Sequence, residues 1–132
     1  ILFQDDLLFP HMDIAGNLAF AIKKKTSRVQ KSQIIDKALK TAGLEGFEKR
    51  DPSSLSGGQK ARISLLRSLL AKPSALLLDE PFSKLDQPLK AKIRTFVFSQ
   101  IKKMNIPALL VTHDPKDCPE HGMILNLNKE EG

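Results

Sequence analysis

The strongest constraint on the fold lies in the second half of the sequence. Ala75-Leu76-Leu77-Leu78-Asp79 and Ala108-Leu109-Leu110-Val111-Thr112 are short apolar runs without polar alternation. Such runs suit the buried strands of a parallel sheet, which are covered on both faces. Between them, Gln87 to Met104 places Ile93, Phe96, Val97 and Ile101 at helical spacing on one side. Strand, helix, strand reads as a βαβ unit, and Met123-Ile124-Leu125-Asn126-Leu127 reads as a third strand. The expected fold class is therefore α/β.

The first half carries a different pattern. Pro10 interrupts an irregular apolar opening, and Asp13 can cap a helix from Ile14 to Ile22. Thr26 or Ser27 can start a second helix, whose Ile34, Ile35, Ala38, Leu39 and Ala42 mark one face and which Gly43 ends. A third helix opens at Leu55-Ser56-Gly57-Gly58-Gln59, presents Ile63, Leu66, Leu69 and Leu70, and closes at Pro73. The pattern divides a helical part, residues 1–73, from a strand-containing part, residues 74–132. At 132 residues the two together make one domain. No apolar stretch reaches the ~18 residues of a membrane span. The opening Ile1-Leu2-Phe3-Gln4-Asp5-Asp6 reads as a chain entered in mid-element, without a signal-peptide pattern. The single cysteine, Cys118, excludes an internal disulfide framework.

A formal charge of +6 invites a nucleic-acid reading. The basic residues are dispersed, however, and the one tight run, Lys23-Lys24-Lys25, follows an apolar helix where cations favour the C-terminal end of the dipole. With no Trp or Tyr to stack on bases, no nucleic-acid partner is expected.

Three clusters carry chemistry. At Leu55-Ser56-Gly57-Gly58-Gln59, glycines allow close backbone approach and a helix start offers unpaired N–H groups, a combination that suits an anion. The same residues also suit a plain N-cap turn. Leu76 to Pro81 ends a strand in two acids at the carboxyl edge, where open α/β sheets bind ligands. There Asp79 can hold Mg²⁺ and Glu80 can polarise a water, although two solvated acids at a strand end are also common. Val111-Thr112-His113-Asp114 places a histidine at the equivalent edge, where it can meet a phosphate or lie idle on the surface. His11 and His121 read as surface residues, and no metal-ligand spacing links the histidines with Cys118.

In this order, the clusters resemble the ATP-binding cassette (ABC) ATPases of membrane transporters, a partial P-loop NTPase fold entered at the Q-loop. Leu55 to Gln59 resembles the signature motif, and Leu76 to Glu80 the Walker B segment. Ser83-Lys84-Leu85-Asp86 resembles the D-loop, with Lys84 departing from its usual alanine. Val111 to Asp114 resembles the switch region. The resemblance implies Glu80 as catalytic base, His113 as γ-phosphate sensor and Gln4 as the Q-loop glutamine reaching Mg²⁺ and the nucleophilic water. It implies Asp79 with Gln4 at Mg²⁺, and Leu55, Ser56, Gly57, Gly58, Gln59 and Asp86 at the nucleotide. ATP and Mg²⁺ are the implied cofactors. A second cassette bound head-to-tail, and a transmembrane permease seated on Gln4 to Phe20, are the implied partners, on the cytoplasmic face of the membrane. DNA-repair or chromosome-maintenance ATPases and a non-catalytic regulatory cassette are the alternatives. The family's Gly-x-x-x-x-Gly-Lys-[Ser/Thr] loop is not in these 132 residues. The chain alone is therefore expected to be inactive, with strands that have lost neighbours and associate with its missing N-terminal half or with other chains.

Overall fold

Each helix begins where a side chain replaces the missing backbone acceptor of its first turn. The computed structural model describes residues 8–119 and 122–125. Gln4, His121 and the Asn126-Leu127 end of the expected third strand lie outside the described residues. Helix α1 (Ile14–Ala21) starts at Asp13, whose carboxylate accepts from the Gly16 N–H. Helix α2 (Arg28–Thr41) starts at Ser27, and α3 (Gly57–Leu70) at Ser56. Both of these carry reciprocal capping boxes, with Gln30 and Gln59 reaching back to the cap N–H. Helix α2 ends as its glycine foretells. Gly43 sits at φ +72°, the Leu44 N–H bonds the Leu39 carbonyl, and the Gly43 N–H bonds the Lys40 carbonyl.

Strand β1 (Leu76–Asp79) leads through a turn to α4 (Gln87–Met104), which is capped by Asp86 and ended by Asn105 at φ +52°. Strand β2 (Ala108–Val111) then pairs parallel to β1, Leu76 opposite Ala108 and Asp79 opposite Val111. The βαβ unit is therefore present with the expected bounds to within a residue. Of the expected third strand, the described residues Met123–Leu125 have no strand pairing and are exposed, and the sheet among the described residues has two strands.

Helix α1 packs on α3 and α2, and one continuous core runs from Ile14, Leu18, Leu39 and Ile63 through Leu66 to Leu78, Phe82, Ile93 and Val97. Each fully buried aliphatic or Phe side chain contributes roughly 1.5–3 kcal/mol relative to exposure. Strand β1 meets the expectation of burial through Leu76 and Leu78. Strand β2 does not: Leu109 is 60% and Val111 42% exposed, whereas Leu110, on the alternate face, packs on the core. With period-2 alternation Leu110 turns one face of β2 to the core, and the face of Leu109 and Val111 is only partly covered among the described residues.

A fully buried Asn17 shapes the entry to α1. Its Nδ2 donates to the carbonyls of Phe9, Met12 and Asp13, and its Oδ1 accepts the Phe9 N–H at 2.7 Å. The side chain thus satisfies a turn that Pro10 keeps out of regular structure. Above it, Phe9 meets Phe20 edge-on at 5.1 Å, and the Arg67 guanidinium of α3 lies 5.5 Å over the Phe9 ring.

Candidate functional site

Glu80 follows β1 directly, and its N–H continues the ladder by donating to the Val111 carbonyl at 2.8 Å. Its backbone then turns into the left-handed region, φ +49°, which costs an L-residue about 1–2 kcal/mol. The Ser83 N–H and hydroxyl both donate to the Glu80 carbonyl and hold this conformation. The result aims the carboxylate across the strand ends. Glu80 Oε1 is buried and lies 3.1 Å from His113 Nε2, yet accepts no hydrogen bond. A buried carboxylate oxygen without a donor is costly and calls for an explanation. The facing imidazole is 95% exposed, so the pair opens to solvent on the histidine side.

Asp79 is exposed at the same strand end. As one hard oxygen donor it fits a cation such as Mg²⁺, which keeps several waters and takes other ligands from phosphate. No cluster of three His, Cys, Asp or Glu side chains suited to a metal occurs among the described residues. The sequence therefore brings Asp79, Glu80 and His113 to one edge, as expected.

The glycine turn carries a different geometry. Ser56 Oγ accepts from the Gln59 N–H, and the Gln59 amide oxygen accepts from the Ser56 N–H, so both side chains serve the cap. The Ser56 hydroxyl hydrogen remains available to an outside acceptor. Leu55 belongs to the core. The glycines divide in role. A Cβ at Gly57 would meet nothing within 4 Å, whereas one at Gly58 would fall 2.9 Å from the Lys84 carbonyl oxygen. The close approach that demands glycine at 58 is thus to this chain's own backbone, in the segment that leads into the Asp86 cap. Arg62, one turn on, donates to the carbonyls of Gly58 and Ala42. Burial pushes its guanidinium pKa down, and Asp86 opposes that shift. No hydrogen bond or ion pair joins the Leu55–Gln59 turn to Asp79, Glu80 or His113 among the described residues. Asp86 acts as a cap, accepting the Leu89 N–H.

Three residues that sequence patterns did not single out, Lys90, Arg94 and Asp117, gather with Thr112 and Asp114 behind His113. Lys90 Nζ lies 3.1 Å from Asp114 and 4.0 Å from Asp117, and Arg94 Nη1 lies 3.0 Å from Asp117. Thr112 Oγ1 donates to Asp117 at 2.6 Å and accepts the Asp114 N–H. Lys90 and Asp117 are buried. Asp114 is held below the usual carboxylate range, chiefly by the Lys116 N–H and then by Lys90. The signal was present in the sequence: Lys90 and Arg94 lie on the stripe of α4 that also carries Ile93 and Val97. A basic residue on an apolar stripe needs a buried acid opposite it.

The family model described as ABC transporter matches residues 1–83. This chain belongs to that family. It is 46% identical over 127 residues to the uncharacterized ABC transporter ATP-binding protein YnjD of Escherichia coli K12, covering 96% of this chain and 58% of the relative. It is 38% identical to the sulfate/thiosulfate import ATP-binding protein CysA of Nocardia farcinica, over 89% of this chain and 36% of the relative. The dimeric, post-hydrolysis structure of the ATP-binding cassette MJ0796 bound to ADP and Pi superposes with a TM-score of 0.74 at 28% identity, covering 88% of this chain and 52% of that one. The α/β fold is therefore that of the ABC cassettes, and the chain spans about half or less of the length of these relatives.

Proposed function

We propose that this chain forms part of the nucleotide-binding subunit of an ABC transporter, in which ATP binding and hydrolysis drive solute transport. The observation that carries the proposal is the Glu80–His113 pair at the carboxyl ends of two parallel strands, with Glu80 Oε1 buried and without a donor. A water placed between Glu80 and a γ-phosphate would give that oxygen its missing hydrogen bond. Glu80 would then orient the water and accept its proton as the oxygen attacks phosphorus. His113 donates to the γ-phosphate and holds it in line. Mg²⁺, held on the protein side by Asp79 with Gln4, would neutralise phosphate charge.

The remaining binding surface is shared between these residues and others outside them. The phosphate cradle belongs to an N-terminal half, and Ser56, Gly57 and Gly58 meet the ATP of a second cassette packed head-to-tail. The amides of Gly57 and Gly58, at the helix start, suit that contact. The permease sits on the region Gln4 to Phe20, in which Phe20 is 66% exposed. Helix α3 connects the two surfaces, with Ser56 at its start and Arg67 over the Phe9 ring. This partnership places the subunit on the cytoplasmic face of the membrane.

The deciding experiment is Glu80→Gln in the full-length protein. Loss of the base is expected to cut ATP turnover at least ~100-fold, about 2.7 kcal/mol of barrier. ATP binding should persist, read by retention of labelled nucleotide. Near-normal turnover rejects Glu80 as the base.

A further inference from the structure

Beyond hydrolysis itself, a question of positioning arises at His113. The side chain is 95% exposed, so no packing holds the ring, and its place opposite Glu80 depends on the backbone on either side. Both sides are tied to one cluster. Thr112, immediately before, donates its hydroxyl to Asp117 and with the same oxygen accepts the N–H of Asp114, immediately after. Asp117 is 3% exposed and closes a short 3₁₀ turn, Pro115–Asp117, whose N-cap is Asp114. From α4, Arg94 binds Asp117 and Lys90 spans Asp114 and Asp117. Two cations and two carboxylates balance, which is how ionic groups tolerate burial.

We propose that Lys90, Arg94, Thr112 and Asp117 are positioning residues for the γ-phosphate contact, fixing the loop that carries His113 to α4. This rests on the reading of His113 given above. The same helix begins at Asp86, beside the Lys84 carbonyl that meets Gly58. The cluster therefore ties the histidine to the helix that follows the segment touching the signature turn.

The test uses Thr112→Val, which keeps shape and removes the shared hydroxyl, alongside Asp117→Asn and the conservative Arg94→Lys, all in the full-length protein. Amide hydrogen exchange across residues 112–118 is expected to quicken about tenfold or more in the first two variants, with α3 and β1 unchanged. The kcat for ATP is expected to fall about tenfold or more while KM stays within about threefold, because a displaced catalytic contact penalises the reacting geometry. Arg94→Lys should retain most turnover. Unchanged exchange in the loop, or a loosened loop with unchanged kcat, overturns the proposal. Faster exchange throughout α3 and β1 overturns it too, because the cluster then serves the whole fold. A wild-type protein that does not hydrolyse ATP refutes the proposed function instead, and the exchange measurement alone then decides whether the cluster holds the loop.

Discussion

Replacing either glycine of the Gly57-Gly58 pair with alanine tests which one the fold itself requires. Both occupy the first turn of α3, where alanine gains up to about 1 kcal/mol over glycine in helix propensity. At Gly57 that gain meets no obstacle, since a Cβ finds nothing within 4 Å. At Gly58 the Cβ falls 2.9 Å from the Lys84 carbonyl oxygen. Ordinary C···O contacts begin near 3.3 Å, so one backbone must retreat by roughly 0.4 Å. The carbonyl cannot swing aside as a side chain would. It lies in the turn that Leu85 N–H to Phe82 carbonyl and Ser83 N–H to Glu80 carbonyl hold together, anchored by the fully buried Phe82. Overpacking against such a backbone costs typically 1–3 kcal/mol. Gly58→Ala is therefore expected to be less stable than Gly57→Ala by about 1–3 kcal/mol. With a urea m-value of about 2 kcal/mol/M, the separation in midpoint is about 0.5–1.5 M, read by circular dichroism. Midpoints for the two variants within about 0.2 M of each other would refute the argument.

Two more outcomes follow from the same strand ends. Because Glu80 sits at φ +49°, Glu80→Gly should match or exceed Glu80→Ala in stability by up to about 1 kcal/mol, a reversal of the usual order that urea midpoints will show. Asp114 is held below its ordinary value by the Lys116 N–H and Lys90, so its contribution is complete above the unfolded value of about 3.9 and disappears as pH falls through the lower folded value. Amide signals of residues 112–118 should accordingly loosen only below about pH 4, and loosening already at pH 6 would contradict the assignment.

Local chemistry made the helices legible. Asp13, Ser27 and Ser56 stand where side-chain caps are needed, Gly43 stands where a left-handed residue is needed, and the 18 residues of α4 run between Asp86 and Asn105. The acid–histidine edge was legible for a related reason, since a polar residue ending an apolar strand has few places to go. What the sequence concealed depends on contacts between distant segments. Gly58 looks like a residue cleared for a ligand until Lys84 is seen against it. Asp117 looks like a surface acid until Arg94, from the preceding helix, reaches it. The expected burial of Leu109 and Val111 presumed a cover on both faces of β2, and apolar character cannot say which neighbours supply it.

The turn from Phe9 to Asp13 takes much of its outline from one amide that lies outside it, Asn17. Only main-chain atoms of Phe9, Met12 and Asp13 enter that bond set. Outward side chains that make no such contact can therefore be exchanged while the contour persists, whereas the Asp13 cap and the Phe9 ring against Phe20 and Arg67 belong to the frame. A lineage could refit this patch to a new companion by exchanging its outward residues one at a time, never having to rebuild the frame beneath.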